Sequence, residues 1–171
     1  SSDLNYHINP DLRGIIYSTV ARKGGQKEYN QLLKLYKETH SGDEKLSITA
    51  GMTSFKQPEI IKAVLELIKS DTIRLQDTGY WIAYSFMNRH ARKITWTWIK
   101  ENWSWLKENN GTDLSFSRMP VYAARNFSDD KMLKDYKLFF ESKMEPMIDR
   151  SFKQGLEIIE TNTDWHKRDM A

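Results

Sequence analysis

The stretch "SGDEKLSITAGMTSFKQPEIIKAVLELIKS", Ser41 to Ser70, decides the fold class. Ser41 and Glu44 have capping-box spacing, in which a hydroxyl accepts from the backbone N–H three residues on and the acid reaches back. They predict a short helix that fades near Phe55. Pro58 then suits a first helical position, where its missing N–H is no loss. Behind it Ile60, Ile61, Val64, Leu65 and Ile68 recur at steps of three and four, the stripe of a helix with one buried face. Two helices joined by a few residues predict an antiparallel pair.

The same punctuation recurs on both sides. Upstream, Asn9 can cap, Pro10 opens a helix carrying Leu12, Ile15, Ile16, Thr19 and Val20, and Gly24 and Gly25 stop it. A partner follows from about Lys27 to His40. Downstream, a pair begins near Gln76 and Asp77 and returns through "ARKITWTWIKENWSWLKENNG". Another begins near Asp113 and returns from Ser128. A last helix runs from about Pro146 to Trp165. Pair starts at 10, 43, 77 and 113 are 33, 34 and 36 residues apart. Helix pairs of that period are the size of a solenoid repeat, whose units bury their apolar faces by stacking on neighbours. The expectation is an all-α, right-handed solenoid-like array of the HEAT or armadillo kind with about nine helices. Residues 1–9 read as a leader and 10–171 as one repeat domain.

Composition narrows the function. In 171 residues, 26 Lys and Arg against 23 Asp and Glu give a net charge of +3 without a block of like charges, which does not suggest nucleic acid. The absence of cysteine removes disulfides and thiolate metal sites and is compatible with a cytoplasmic chain. Neither a membrane-length apolar run nor a signal peptide is read, so a soluble protein with no membrane partner is expected. No initiating methionine is present, and the sequence reads as a piece of something longer.

Few residues carry obvious chemistry. His7, His40, His90 and His166 lack the i, i+4 spacing that lets two imidazoles share a zinc. Lys23, Gly24 and Gly25 read as a helix end rather than a phosphate loop. Trp96, Trp98, Trp103 and Trp105 sit among charges of both signs, so core and inter-repeat packing explains them better than base stacking. Arg74 and Asp77, in "IRLQD", predict a structural tie between repeats, with Asp77 as a plain cap the simpler alternative. "SFSRMPVYAARNF", from Ser115 to Phe127, predicts a helix distorted by Pro120 that carries Leu114, Arg118, Tyr122 and Arg125 or Asn126 along one face.

Several of these segments, in order, resemble the C-terminal helical domain of zinc aminopeptidases of the aminopeptidase N and puromycin-sensitive type. They are "PDLRGIIY", "SGDEK", "IRLQD", "TWTWIKENWSWL" in the place of the family's W-x-[FW]-[IL]-[KR]-x-N-W, "SFSRMPVYAARNFS", and a terminal helix with Trp165. The resemblance implies a HEAT-like bowl closing over a preceding catalytic domain that holds zinc through HExxH, a motif this sequence lacks. It implies a substrate cavity near Leu114, Arg118 and Asn126, to which helical spacing adds Tyr122. On this reading the chain has no catalytic residue, metal or cofactor of its own. The parent is a zinc aminopeptidase, and the partners are its catalytic domain and peptide substrates. The rival reading is a free-standing HEAT-like scaffold that binds a protein along its concave face.

Overall fold

The computed structural model describes residues 10–171. The leader residues 1–9, with the cap expected at Asn9 and His7, lie outside them. The described residues form eleven α-helices and no strand, in two compact units divided between Ile94 and Thr95.

Unit 1 holds α1 (Pro10–Lys23), α2 (Gln26–Glu38), α3 (Gly42–Met52), α4 (Pro58–Leu67), a 3-10 turn (Leu75–Asp77) and α5 (Thr78–Met87). Its punctuation is largely as the sequence predicts. Ser41 Oγ accepts the Glu44 N–H at 3.3 Å. The Glu44 carboxylate, however, takes the Thr39 hydroxyl at 2.9 Å instead of reaching back to Ser41. At α2 the other half of such a box is present, the Gly25 N–H donating to Glu28 Oε2 at 2.8 Å, while Gly25 has no side chain to return the bond.

The first helices of successive pairs stack, α1 against α3 and α3 against α5. The α1 contact is close because its residues are small. Gly14 faces Ala50, the Ser18 hydroxyl donates to the Ala50 carbonyl at 3.1 Å, and a Cβ on Gly51 would lie 2.6 Å from Tyr17 Cβ. The core of the unit is Leu32, Tyr36, Ile48, Met52, Phe55, Ile61, Val64, Leu65, Trp81 and Ile82, all buried. Asn88 ties the pairs together, its Nδ2 donating to the carbonyls of Thr53 at 3.0 Å and Phe55 at 2.7 Å, just beyond the end of α3.

Between Arg92 and the end of the chain lie α6 (Arg92–Glu101), α7 (Trp103–Asn110), α8 (Leu114–Ser117), α9 (Met119–Ala124), α10 (Asp130–Ser142) and α11 (Pro146–Met170). The count exceeds nine because two stretches that read as single helices are divided, one at Asn102 and one at Arg118. Asn102 leaves helical geometry at φ −111° and ψ 17°, and its side-chain amide donates to the Trp98 carbonyl at 2.9 Å. A side chain bonding locally to backbone in this way competes with continuation of the helix.

The core of unit 2 is aromatic. Trp96 stacks on Tyr136 at 5.9 Å and meets Phe127, Phe139 and Phe140 at 5.4 to 6.0 Å between ring centroids. Trp103 packs on Phe116, Phe139 and Phe140. Trp96, Trp98 and Trp103 are buried and Trp105 half-buried, so packing accounts for the tryptophan-rich segment. The Trp96 Nε1–H donates to Asp135 Oδ2 at 2.7 Å, and Lys100 Nζ reaches the same oxygen at 2.7 Å. Burial raises the Asp135 pKa, but the bonds from Lys100 and Trp96 outweigh it and hold the carboxyl below its ordinary value.

Candidate functional site

The division at Arg118 explains how Pro120 is accommodated. Arg118 ends α8 and flanks α9 at φ −95° and ψ −4°, and Pro120 falls at the second position of α9. The N–H it lacks would have had no partner inside the helix there, so the proline starts a helix and distorts none. The sequence expectation of one bent helix is thus replaced by two short ones. Their buried side is Phe116, Met119, Pro120, Ala123 and Ala124.

The segment is fixed from behind. The Tyr136 hydroxyl donates to the Pro120 carbonyl at 2.8 Å, with Gly155 of α11 directly beneath that hydroxyl. The Val121 N–H donates to Ser151 Oγ at 3.3 Å, and Asn162 Nδ2 donates to the carbonyls of Arg125 at 3.0 Å and Phe127 at 3.2 Å. The outer side carries the expected residues. Leu114 and Arg118 are exposed, and Tyr122 and Asn126 are half-buried. Leu114 belongs to α8, Tyr122 to α9, and Arg118 to the junction. The Arg125 guanidinium lies 6.0 Å from the centre of the Tyr122 ring, within cation–π range.

Arg74 and Asp77 pair locally, Nε to Oδ2 at 2.8 Å across the 3-10 turn, a contact within one turn of chain. Asp77 makes no side-chain cap to α5. It lines a recess of about 200 Å³ shared with Gly42, Lys45, Leu46 and Thr49 of α3 and with Tyr80.

Unit 1 contains a larger feature that sequence reasoning missed. A groove of about 720 Å³ runs between α1 and the ends of α3 and α5, lined by Ile15, Arg22, Lys56, Met87, Arg89 and His90 among others. Its charged lining is basic, and Ile15 and Met87 expose apolar surface beside it. Arg89 Nε donates to His90 Nε2 at 3.4 Å. Burial first, and the positive charge of Arg89 second, lower the pKa of Arg92, whose Nε donates to the Phe86 carbonyl at 3.0 Å. An electropositive groove with apolar patches suits an anionic group attached to an apolar one. Its lining comes from α1, the turn after α3 and the turn after α5, which share no motif. The readable hint was the basic pair Arg89 and His90 directly after a helix end.

Among the described residues no group of three or more His, Cys, Asp or Glu side chains is placed to hold a metal ion. Among the same residues no helix is long and apolar enough to cross a membrane. Residues 1–161 match the family described as the ERAP1-like C-terminal domain. This chain belongs to that family. It is similar to aminopeptidase M1 of Arabidopsis thaliana, 29% identical over 92% of the chain and 18% of the relative. It is similar also to aminopeptidase N of Lactobacillus helveticus, at 28% over 92% of the chain and 19% of the relative. Aminopeptidase 2, mitochondrial, of Saccharomyces cerevisiae is 29% identical over 92% of the chain and 17% of the relative. The ERAP1-like C-terminal domain described here thus spans under a fifth of the length of these relatives.

Proposed function

We propose that this chain is the C-terminal helical domain of a cytoplasmic zinc aminopeptidase that removes N-terminal residues from peptides. In this reading a preceding domain of the same polypeptide holds the zinc and supplies its chemistry, polarising the scissile carbonyl and activating water. The helical domain closes over that site and shapes the space the peptide occupies. One observation carries the reading: nearly the whole chain aligns with a small share of much longer proteins that are named aminopeptidases. A free-standing scaffold has no comparable support.

The chemistry available to a peptide lies on two surfaces. Arg118, with Leu114 of α8, Tyr122 of α9 and Asn126 just past α9, offers a planar fork of donors to a carbonyl or carboxylate. Arg118 is exposed, while the backbone that follows it is held at Pro120, Val121 and Arg125 by Tyr136, Ser151 and Asn162. The groove of unit 1 offers Arg22, Lys56 and Arg89 to an acidic group, with Ile15 and Met87 for an adjoining apolar side chain.

The test is kinetic. In the full-length parent, Arg118→Ala is expected to lower kcat/KM for peptides about tenfold to a hundredfold, roughly 1.4 to 2.7 kcal/mol of lost transition-state binding. The melting temperature should hardly change, because an exposed arginine loses little packing on truncation. Lys134→Ala, on the exposed side of α10, is the control and should change neither quantity. Unchanged kinetics for Arg118→Ala would remove that residue from the substrate space. A parent inactive on aminoacyl anilides and peptides would remove the peptidase reading itself.

A further inference from the structure

Helix α1 is built the wrong way round for a helix at the edge of a soluble domain. Its inner face, against α3, is made of Gly14, Tyr17, Ser18 and Ala21, mostly small. The opposite face carries Leu12, Ile16, Thr19 and Val20 in one row, with Ile15 at the edge that borders the groove. The aliphatic members stand 52% exposed at Leu12, 61% at Ile15, 43% at Ile16 and 38% at Val20. An amphipathic helix normally buries such a row. The exposed side of α2 shows the usual alternative, with Lys27, Asn30, Gln31, Lys34 and Lys37 facing water.

The row is also quiet in polar terms. Its hydroxyl, on Thr19, already donates to the Ile15 carbonyl at 2.8 Å, so covering it with apolar atoms strands no donor. Stacking gives the direction of the missing cover. Since α3 packs against both α1 and α5, α1 stands at one end of the row of first helices, and a terminal repeat exposed to water needs a polar outer face that α1 lacks. The relatives supply the material, because this chain accounts for only 17 to 19% of their length.

We infer that the Leu12, Ile16 and Val20 face of α1 is an internal seam, covered in the full-length protein by an apolar helix of a further repeat of the same polypeptide. The inference rests on the proposed reading that the chain is part of a longer peptidase. It adds the surface through which the two parts are joined and the chemistry of what lies on it: an aliphatic, uncharged helix face.

The absence of cysteine provides the experiment. Ile16→Cys and Val20→Cys, each made in the 171-residue chain and in the full-length parent, are reacted with a maleimide, and labelling is read on the α1 peptide by mass spectrometry. Lys34→Cys, on the exposed side of α2, is the reference. In the short chain all three thiols should react at similar rates. In the parent Ile16→Cys and Val20→Cys should slow by about a hundredfold or more, because labelling then waits on local opening, while Lys34→Cys stays fast. Equal rates in both lengths would overturn the seam. Protection in the short chain that grows with its concentration would assign the face to a second copy and overturn it equally. Peptide hydrolysis by the same parent samples separates the two readings: an active parent with fast labelling rejects only the seam, and an inactive parent with slow labelling rejects only the peptidase.

Discussion

The joint between α1 and α3 and the core around Trp96 solve one problem with opposite materials. In unit 1 two helices come close because Gly14, Gly51, Ala50 and Ser18 leave space between backbones. In unit 2 large rings fill the distance, with Trp96, Trp103, Tyr136, Phe139 and Phe140 in mutual contact. Yet one hydrogen-bond device is common to both. Asn88 donates to the carbonyls of the first and third residues past α3, and Asn162 to those of the first and third residues past α9. The separations are 35 and 33 residues in one case and 37 and 35 in the other. Each unit therefore closes a helix end with an amide on two backbone carbonyls, while the residues that pack around it differ.

The largest effect that would sharpen this contrast is Trp96→Ala. It removes a ring with four aromatic neighbours and one of the two donors to Asp135 Oδ2, and should cost about 3 to 5 kcal/mol in denaturant unfolding of the 171-residue chain. A loss below about 1 kcal/mol would mean that the unit 2 core does not depend on that cluster. Next comes Gly51→Ala, where the added Cβ presses on Tyr17 and its carbonyl. About 1 to 3 kcal/mol is expected from overpacking. If the alanine is neutral, the close approach of α1 and α3 is not what limits the joint. The smallest expected effects are those of Asn88→Ala and Asn162→Ala, about 1 to 2 kcal/mol each, because each leaves two carbonyls without their donor. Equal losses would support one shared device. A loss at only one of them, measured by the same unfolding experiment, would break the parallel.

How far the sequence was legible follows from the same contrast. Caps and prolines are local signals, so Ser41, Pro58 and Pro146 marked helix starts that the structure retains. The breaks at Asn102 and Arg118 were not legible, because asparagine occurs within helices as well as between them and Pro120 reads as an interruption until its neighbour is known to end a helix. Arg74 and Asp77 were legible as a pair three residues apart, which needs no tertiary information. Of the unit 1 groove only Arg89 and His90 after a helix end were a local hint, since Ile15, Lys56 and Arg89 meet only once α1, α3 and α5 are stacked. Family resemblance drew attention to Arg118, whereas Asn162 and Asn88, the amides that pin its segment and its counterpart, carry no local signal because the carbonyls they serve lie 33 to 37 residues away.

The uneven placement of tryptophan gives the two units different optical signatures. Trp81 is the sole indole before residue 95, whereas Trp96, Trp98, Trp103, Trp105 and Trp165 all follow it. Excitation selective for indole therefore looks mainly at unit 2. With Trp81→Phe it would look at unit 2 alone, while a chain retaining Trp81 as its single indole would report from the centre of unit 1. Intrinsic emission followed beside the far-ultraviolet signal of all the helices thus separates one cooperative melting event from two, without any dye or label.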